Sequence, residues 1–377
     1  MKWLVVVLGG LGCSSATDPG VSRDADVDPA SDAAVAPPAD AGPPADAARS
    51  DGPIDAAVVR PPLTRGVSTL AGWAEPGDVD GPREHNLFHN PVGVAIGPGG
   101  QRFVADFDNN KIRMIDAAGT ASTVFAGAGF ARPFALAVEG ASLFVATDND
   151  PAGGHDAMSG TLWKIDPDAR TATVIAARIG RPRGLVALHD GRLAIADYTH
   201  HVVELVELST GQVSILAGAW DQRGAGDATG AAARFDIPYG IAVRGDGSLV
   251  VADQGNRRIR AIQPDGAVTT LAGDGSAPGV GAASLDRPQG LAITAAGDLY
   301  ISDVGSARIL RLRDGVLESV AGDGVHGYRD DDDPGAAELY GLEGLAVTSD
   351  GAMLVVADGS GGTDAPFNRV RTVVLSP

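Results

Sequence analysis

One stretch of the sequence, residues 238–273, limits the possible folds more than any other feature. It contains four short apolar segments, at 240–243, 248–252, 258–262 and 267–272, and turn sequences rich in Gly, Asp, Asn and Pro separate them. Short β-branched segments between such turns predict an antiparallel meander of strands. A single sheet of this size cannot bury both of its faces, so copies of the unit must pack against one another.

The sequence contains six copies of this unit. A Pro-x-Gly triplet, degenerate in two copies, precedes the first strand and begins at Pro91, Pro133, Pro182, Pro238, Pro288 and Leu342. A Val/Ile-Ala/Ser-Asp signature marks the second strand and ends at Asp106, Asp197, Asp253, Asp303 and Asp358, with Thr147 in the remaining copy. A carboxylate repeated in nearly every copy indicates a structural role. It either caps the following turn or pairs with a base of the third strand, such as Arg258 or Arg308.

The spacing and the motifs together resemble the NHL-repeat family of β-propellers over residues 64–377. The same order of features recurs five or six times: Pro-x-Gly, an aliphatic strand, a Gly-Asp-Gly type turn, Ala-Asp, an Arg-Ile strand and a Leu-Ala-Gly ending. The resemblance implies an all-β fold, a six-bladed β-propeller whose four-stranded antiparallel blades form a ring around a central channel.

The two ends of the repeated region predict how the ring closes. The last copy supplies three strands and stops one short, whereas residues 67–72, near the start, form a fourth-type strand without a blade. That segment resembles residues 268–273. We expect the N-terminal strand to complete the last blade, which leaves no blade unfinished.

The segment before the repeats predicts export and attachment. Lys2, the apolar run 3–8 and small residues before Cys13 resemble a bacterial lipoprotein signal at 1–12, with Cys13 as the lipidated residue; a plain secretory signal is the alternative. Residues 13–63 are rich in Ala, Asp and Pro and lack aromatic residues, which predicts a disordered linker. We therefore expect a lipid-anchored protein of the bacterial cell envelope, periplasmic or extracellular, or else a secreted one.

Charge and cysteine content exclude several classes of function. The formal net charge is −19, and residues 1–63 hold four basic and nine acidic residues, so residues 64–377 carry about −14. Such an acidic region lacks the basic surface that nucleic-acid binding requires. The single cysteine excludes an intrachain disulfide. We expect a monomer.

All long connections are predicted on one face of the ring, where binding residues concentrate. The middle residue of each Pro-x-Gly triplet should lie at the channel mouth on this face, with Arg183 and Glu343 on opposite sides. The candidate ligand-binding residues at the mouth are Phe134, Arg183, Tyr239, Gln289 and Glu343, beside Val92. The unrepeated loop before residue 238 adds Trp220, Asp221 and Arg223.

Metal sites have weak support in the sequence. Six histidines are predicted on the long-loop face, but in loops of unequal length and without a fixed ligand spacing. Calcium is the possible cofactor, through carboxylates at 78–80, at 148–156 and at 330–333, although none shows the full spacing of a calcium-binding loop.

Two functions remain open. The first is a binding or interaction module whose long-loop face holds a protein, a carbohydrate or a small molecule. The second is a metal-assisted lyase or hydrolase with its site at the channel mouth, as the resemblance to catalytic six-bladed propellers implies. The sequence contains no Gly-x-Ser-x-Gly motif and no cysteine within residues 64–377, so we do not assign a catalytic residue.

Overall fold

The computed structural model describes residues 65–276, 284–359 and 367–375, in which the strands form six four-stranded antiparallel sheets. The prediction of a six-bladed β-propeller is confirmed. The predicted signal, Cys13 and the predicted linker lie outside the described residues. Within the described ranges, no helix has the length and apolar character needed to cross a membrane.

The blades follow one another along the chain. Blade one contains β2 (Pro91–Ile96), β3 (Arg102–Asp106), β4 (Lys111–Ile115) and β5 (Ala121–Phe125), and blade two contains β6 (Pro133–Glu139), β7 (Ser142–Thr147), β8 (Thr161–Asp166) and β9 (Thr171–Ala177). Blade three contains β10 (Pro182–Ala187), β11 (Arg192–Asp197), β12 (Val202–Glu207) and β13 (Val213–Gly218), and blade four contains β14 (Pro238–Val243), β15 (Leu249–Asp253), β16 (Arg258–Ile262) and β17 (Val268–Ala272). Blade five contains β18 (Pro288–Ile293), β19 (Leu299–Asp303), β20 (Arg308–Arg313) and β21 (Val316–Ala321), and blade six contains β22 (Gly341–Val347), β23 (Met353–Gly359), β24 (Asn368–Val374) and β1 (Val67–Trp73). Single turns of 3-10 helix occur at Gly230–Ala232, Gln254–Asn256, Val304–Ser306 and Pro334–Ala336.

The N-terminal strand β1 pairs with the C-terminal strand β24 in blade six. The pairing is antiparallel and runs from Val67 opposite Val373 to Trp73 opposite Asn368. Blade six therefore combines the two ends of the repeated region. Its inner strand β22 contacts β2 of blade one, so the ring of inner strands is continuous.

The glycine of the Pro-x-Gly triplet allows neighbouring inner strands to approach closely. A Cβ placed on Gly240 would lie 2.0 Å from the carbonyl oxygen of Gln289, and one on Gly93 would lie 2.0 Å from that of Phe134. A side chain cannot fit there, so glycine is required for packing rather than for an unusual φ. A β-bulge in the same segment, between Pro238 and Ile241 of blade four, turns the middle residue toward the channel.

Apolar side chains fill the space between adjacent blades. One cluster of buried residues lies between each pair of neighbouring sheets; between blades three and four it includes Val203, Phe235 and Val251. Four residues, each three positions before the first residue of a Pro-x-Gly triplet, anchor the loops in these clusters, and all are buried: Phe88, Phe235, Leu285 and Leu339.

The repeated aspartate ties a blade to the long loop that precedes it. In blade four, Asp253 Oδ2 accepts a hydrogen bond from Arg260 Nη1 at 2.5 Å, and Asp253 Oδ1 accepts one from the backbone N–H of Asp236 at 2.8 Å. The second nitrogen of Arg260 donates to Asp227 Oδ1 at 2.6 Å. The prediction of Arg258 as the partner is wrong, because its side chain reaches a loop carbonyl instead.

Blades one and six repeat this arrangement, whereas the other blades replace it. Asp106 pairs with Arg113 and Asp358 with Arg371. In blade five the equivalent third-strand residue is Leu310, so Arg308 is not the partner of Asp303 either; its guanidinium donates to the carbonyl of Asp323. In blade three the equivalent residue is Glu204 and in blade two it is Trp163, whose indole N–H donates to Thr147.

Candidate functional site

The residues predicted at the channel mouth converge at one end of the ring. Phe134, Arg183, Tyr239 and Glu343 line the same cavity, whose volume is about 70 Å³, and Gln289 lies on the adjoining inner strand. All five are buried. They form a closed layer across the channel, which we call the plug; the space beneath it has room for about two water molecules.

Arg183 organises the aromatic half of the plug. Its guanidinium carbon lies 4.1 Å from the ring centroid of Phe134 and 5.0 Å from that of Tyr198. Its Nη1 donates a hydrogen bond to Asp148 Oδ1 at 2.6 Å. Burial alone would lower the pKa of Arg183, but the Asp148 carboxylate raises it above its ordinary value, so this arginine stays charged. The phenyl ring of Phe134 also meets Tyr239 edge to face, with centroids 5.8 Å apart.

Glu343 and Gln289 form the polar half of the plug. Glu343 is 8% exposed and Gln289 is 2% exposed. Neither Glu343 Oε2 nor Gln289 Oε1 has a hydrogen-bond partner among the described residues. Burial raises the pKa of Glu343 to about 7, although the charge of Arg183 acts in the opposite direction. Two buried oxygen acceptors without donors favour a ligand group or water that donates hydrogen bonds.

The structure adds a second group of residues that the sequence reading did not place at the mouth. Phe107, Asp148 and Tyr198 each follow directly the last residue of a second strand, and each contacts the plug. The position after the Val/Ile-Ala-Asp signature was the signal that could have found them. The residue type at this position differs from one copy of the repeat to the next. Such variation is expected of residues in a binding site, whereas a structural residue is repeated in every blade.

The predicted loop residues Trp220, Asp221 and Arg223 lie near two buried histidines of blade three. The Trp220 ring is 37% exposed and stacks on His200, with centroids 4.0 Å apart. The backbone N–H of Asp221 donates to the carbonyl of His200 at 3.1 Å. Arg223 Nε donates to His201 Nε2 at 3.1 Å. Trp220 therefore presents a partly exposed aromatic ring that is stacked on a buried histidine.

The predicted metal-binding residues have other partners in the described parts of the chain. There, no group of three or more His, Cys, Asp or Glu side chains could hold a metal ion. Asp80 pairs with Arg113, and Asp330 pairs with Arg371. Asp150 accepts hydrogen bonds from two backbone N–H groups of its own loop. Through these contacts the acidic residues stabilise the loops. Calcium binding at these residues stays a prediction.

Comparison with curated proteins identifies one relative by sequence, over part of the chain. No family model matches the sequence. The curated protein SUPPRESSOR OF QUENCHING 1, chloroplastic, of Arabidopsis thaliana is 28% identical over 177 residues, which is 46% of this chain and 14% of that protein. The chain thus spans a small part of this relative's length.

Solved structures show the same fold. An auxiliary nutrient binding protein from Bacteroides thetaiotaomicron superposes with a TM-score of 0.65 at 16% identity, over 81% of this chain and 75% of that one. A gluconolactonase from Xanthomonas campestris superposes with a TM-score of 0.55 at 16% identity, over 82% of this chain and 89% of that one. At these identities the likeness establishes the propeller fold, and proteins with this fold include both binding proteins and enzymes.

Proposed function

We propose that the propeller is the binding module of a cell-envelope lipoprotein and that its ligand lies on the plug at the centre of the long-loop face. The observation that carries this proposal is the convergence of aromatic, charged and amide side chains from separate blades on one buried layer. Such a layer offers stacking surfaces and oriented hydrogen-bonding groups on a rigid scaffold. The name of the Bacteroides nutrient binding protein supports a ligand-binding use of this architecture.

The ligand has to bind above the plug rather than inside the channel. The plug residues are almost fully buried, and the cavity below them is far smaller than an ordinary ligand pocket. Phe107 and Tyr198, which contact the plug, remain partly exposed, and Trp220 is exposed in a long loop of the same face. Flat aromatic surfaces of this kind favour a small molecule or a carbohydrate, and a protein partner is the other class in this proposal.

Binding is tested by thermal unfolding of the protein in the presence of monosaccharides, free amino acids and a muropeptide digest. A specific ligand should raise Tm, because a ligand that binds the folded state alone stabilises it. Trp220→Ala and Tyr198→Ala should weaken the shift, while Val316→Ala, at the outer rim, should leave it unchanged. Equal shifts in all three variants would contradict a site on the plug. If the protein converts one of these compounds and EDTA abolishes the conversion, the result would instead favour the metal-assisted lyase or hydrolase.

Membrane attachment through Cys13 is part of the same proposal. We expect a lipid-modified protein in the membrane fraction of the native bacterium. Because Cys13 is the single cysteine of the chain, incorporation of an alkyne-labelled fatty acid should disappear in Cys13→Ser. Label that persists in Cys13→Ser, or a wild-type protein without label, would contradict lipidation and leave secretion as the alternative.

A further inference from the structure

The outer strand of blade four is covered by the long loop that precedes the blade. The backbone N–H of Val268 donates to the carbonyl of Ala228 at 2.8 Å, and the N–H of Thr270 donates to Asp227 Oδ2 at 3.1 Å. Asp227 is the carboxylate that also accepts a hydrogen bond from Arg260. The loop therefore satisfies the backbone donors on the outer edge of this sheet.

Blades one and six protect their outer edges in the same way. The N–H of Thr123 donates to Asp80 Oδ2 at 2.8 Å, and that of Thr69 donates to Asp330 Oδ2 at 2.8 Å. Each of these carboxylates also pairs with the buried third-strand arginine of its blade. An edge whose donors are occupied is not available to a strand of another chain.

Blades two and three lack the connection that would supply such a cover. The segment before blade two spans residues 126–132 and the one before blade three spans 178–181, whereas the one before blade four spans 219–237. The third-strand arginine is absent from both blades as well. We therefore examined the outer edges of β9 and β13 at the position that the loop carboxylate bonds in the other blades.

The strand register identifies that position in both blades. Val174 lies opposite Trp163 in blade two, and Ile215 lies opposite Glu204 in blade three, just as Thr270 lies opposite Arg260 in blade four. The N–H groups of Val174 and Ile215 therefore point outward. Within the described ranges, no loop or side chain bonds to either of them. Their side chains are 43% and 45% exposed, so each edge combines open backbone donors with an apolar side chain.

Positive charge distinguishes the edge of β9 from that of β13. Arg170 precedes β9, Arg178 follows it, and Lys164 lies beside it on β8. All three are exposed, and none forms an ion pair with another described residue. Two carboxylates, Asp166 and Asp168, lie near the turn before β9, so an excess of positive charge remains along the edge. The residues that flank β13 directly are uncharged.

We propose that the outer edge of β9 binds an extended acidic segment of a partner protein, which adds an antiparallel fifth strand to blade two. The partner's carbonyl groups would accept hydrogen bonds from the outward N–H groups, and its β-branched side chains would cover Val174. Its carboxylates would pair with Arg170 and Arg178, which are eight residues apart, or roughly 25 Å in extended chain. This surface lies on the side of the ring and is separate from the plug.

The charges favour an acidic partner over a second copy of this chain. Antiparallel pairing of two copies of β9 centred on Val174 would place Arg170 of each copy opposite Arg178 of the other. Like charges directly opposite each other destabilise a strand pair. The net charge of about −14 on residues 64–377 does not prevent an acidic segment from binding, since charges more than about 8 Å away are largely screened at physiological ionic strength.

The test uses a fluorescein-labelled peptide, Glu-Glu-Thr-Val-Thr-Val-Thr-Glu-Glu, and measures its binding to the full chain by fluorescence anisotropy. The peptide should bind, and its affinity should fall as the salt concentration rises. The same peptide with lysine in place of each glutamate should bind roughly tenfold more weakly, because its charged ends then meet Arg170 and Arg178.

Val174→Pro removes the outward N–H of β9, a change that an edge strand tolerates, and should reduce affinity for the acidic peptide at least tenfold. Ile215→Pro is the matched control, because it makes the same change at the same register position in blade three. It should leave binding unchanged. The double variant Arg170→Glu with Arg178→Glu should keep the Tm of the wild type and prefer the lysine peptide.

Three results would overturn the inference: no binding of the acidic peptide, equal losses in Val174→Pro and Ile215→Pro, or an unchanged preference in the charge-reversed variant. Self-association that Val174→Pro abolishes would identify a second copy as the occupant. Peptide binding that requires deletion of residues 14–63 would identify this chain's own acidic segment instead, and either result would also overturn the proposed partner. Trp220→Ala should leave peptide binding unchanged, so the edge and the plug are tested separately.

Discussion

Replacing Arg260 with leucine, the residue that blade five carries at the equivalent position, tests the role of the repeated aspartate. Arg260 is fully buried and donates hydrogen bonds to Asp253, to Asp227 and to two loop carbonyls. Removing one partner of a buried ion pair costs about 3 to 5 kcal/mol, because the remaining charge is left without compensation. Asp253 keeps its bonds from the Asp236 backbone and the Asn256 side chain, and Asp227 is half exposed. We therefore expect about 3 kcal/mol, the lower end of that range.

This loss should be visible in thermal unfolding. For a domain of roughly 300 residues, a loss of about 3 kcal/mol lowers Tm by about 5 °C. Arg258→Leu is the matched control. Arg258 lies on the same strand, and its replacement removes hydrogen bonds to uncharged carbonyl groups. Its Tm should fall by much less. The double variant Asp253→Asn with Arg260→Leu should recover part of the loss, because no buried charge remains.

Hydrogen exchange gives a second readout of the same change. Arg260 ties residues 226–234 to blade four, so exchange in that loop should become faster in Arg260→Leu. It should change much less in Arg258→Leu, which loses a single hydrogen bond to this loop, at Ala225. A Tm for Arg260→Leu within 1 °C of that for Arg258→Leu, where about 5 °C is expected, would refute the reasoning. The aspartate would then act through its backbone contacts alone.

Three further variants test burial, close packing and closure of the ring. Burial and the neighbouring Asp197 raise the pKa of Glu204 from 4.5 to about 8, so its contribution to stability is complete below pH 4.5 and is lost as the pH rises through 8. In denaturant unfolding, the free energy of unfolding of Glu204→Gln should equal that of the wild type at pH 4.5 and exceed it by about 1 to 3 kcal/mol above pH 8. The same pH dependence of stability in both proteins would contradict this. Gly240→Ala should cost about 1 to 3 kcal/mol, while Gly245→Ala, with open space around its Cβ position, should change little; similar losses in both would argue against the close approach of inner strands. Deleting residues 65–73 removes β1 and exposes β24, so cooperative thermal unfolding should be lost; an unchanged Tm would show that the strand does not support the ring.

Much of the fold can be read from the sequence, because its determinants are local and repeated. Four apolar segments with turn residues between them specify a four-stranded meander wherever they occur, and six copies in succession leave few ways of burying every sheet. The Pro-x-Gly triplet could be recognised as a repeated motif, but the sequence did not show why its glycine is needed. The glycine is needed because the carbonyl of the next blade lies against it, a contact between residues about fifty positions apart, such as Gly240 and Gln289.

The details of the site depend on tertiary structure. The sequence predicted that the repeated aspartate either caps the following turn or pairs with a strand-three base such as Arg258, and Asp253 and Arg258 do lie opposite each other in the strand pairing. Arg260 bonds the carboxylate instead, and Arg258 donates to the loop carbonyl of Ala225. A spacing of two residues on one strand face does not distinguish these outcomes.

The sequence by itself determined the six four-stranded units and the face that carries the long loops, since both follow from short-range patterns of apolar and turn residues, and the resemblance to NHL-repeat propellers implied the ring. Only the tertiary structure decided that the channel mouth is closed by a plug and that Arg183 pairs with Asp148. Those contacts join residues of different strands and blades. They depend on how the blades pack, and side-chain partners across such an interface are selected by distance and burial rather than by position in the chain.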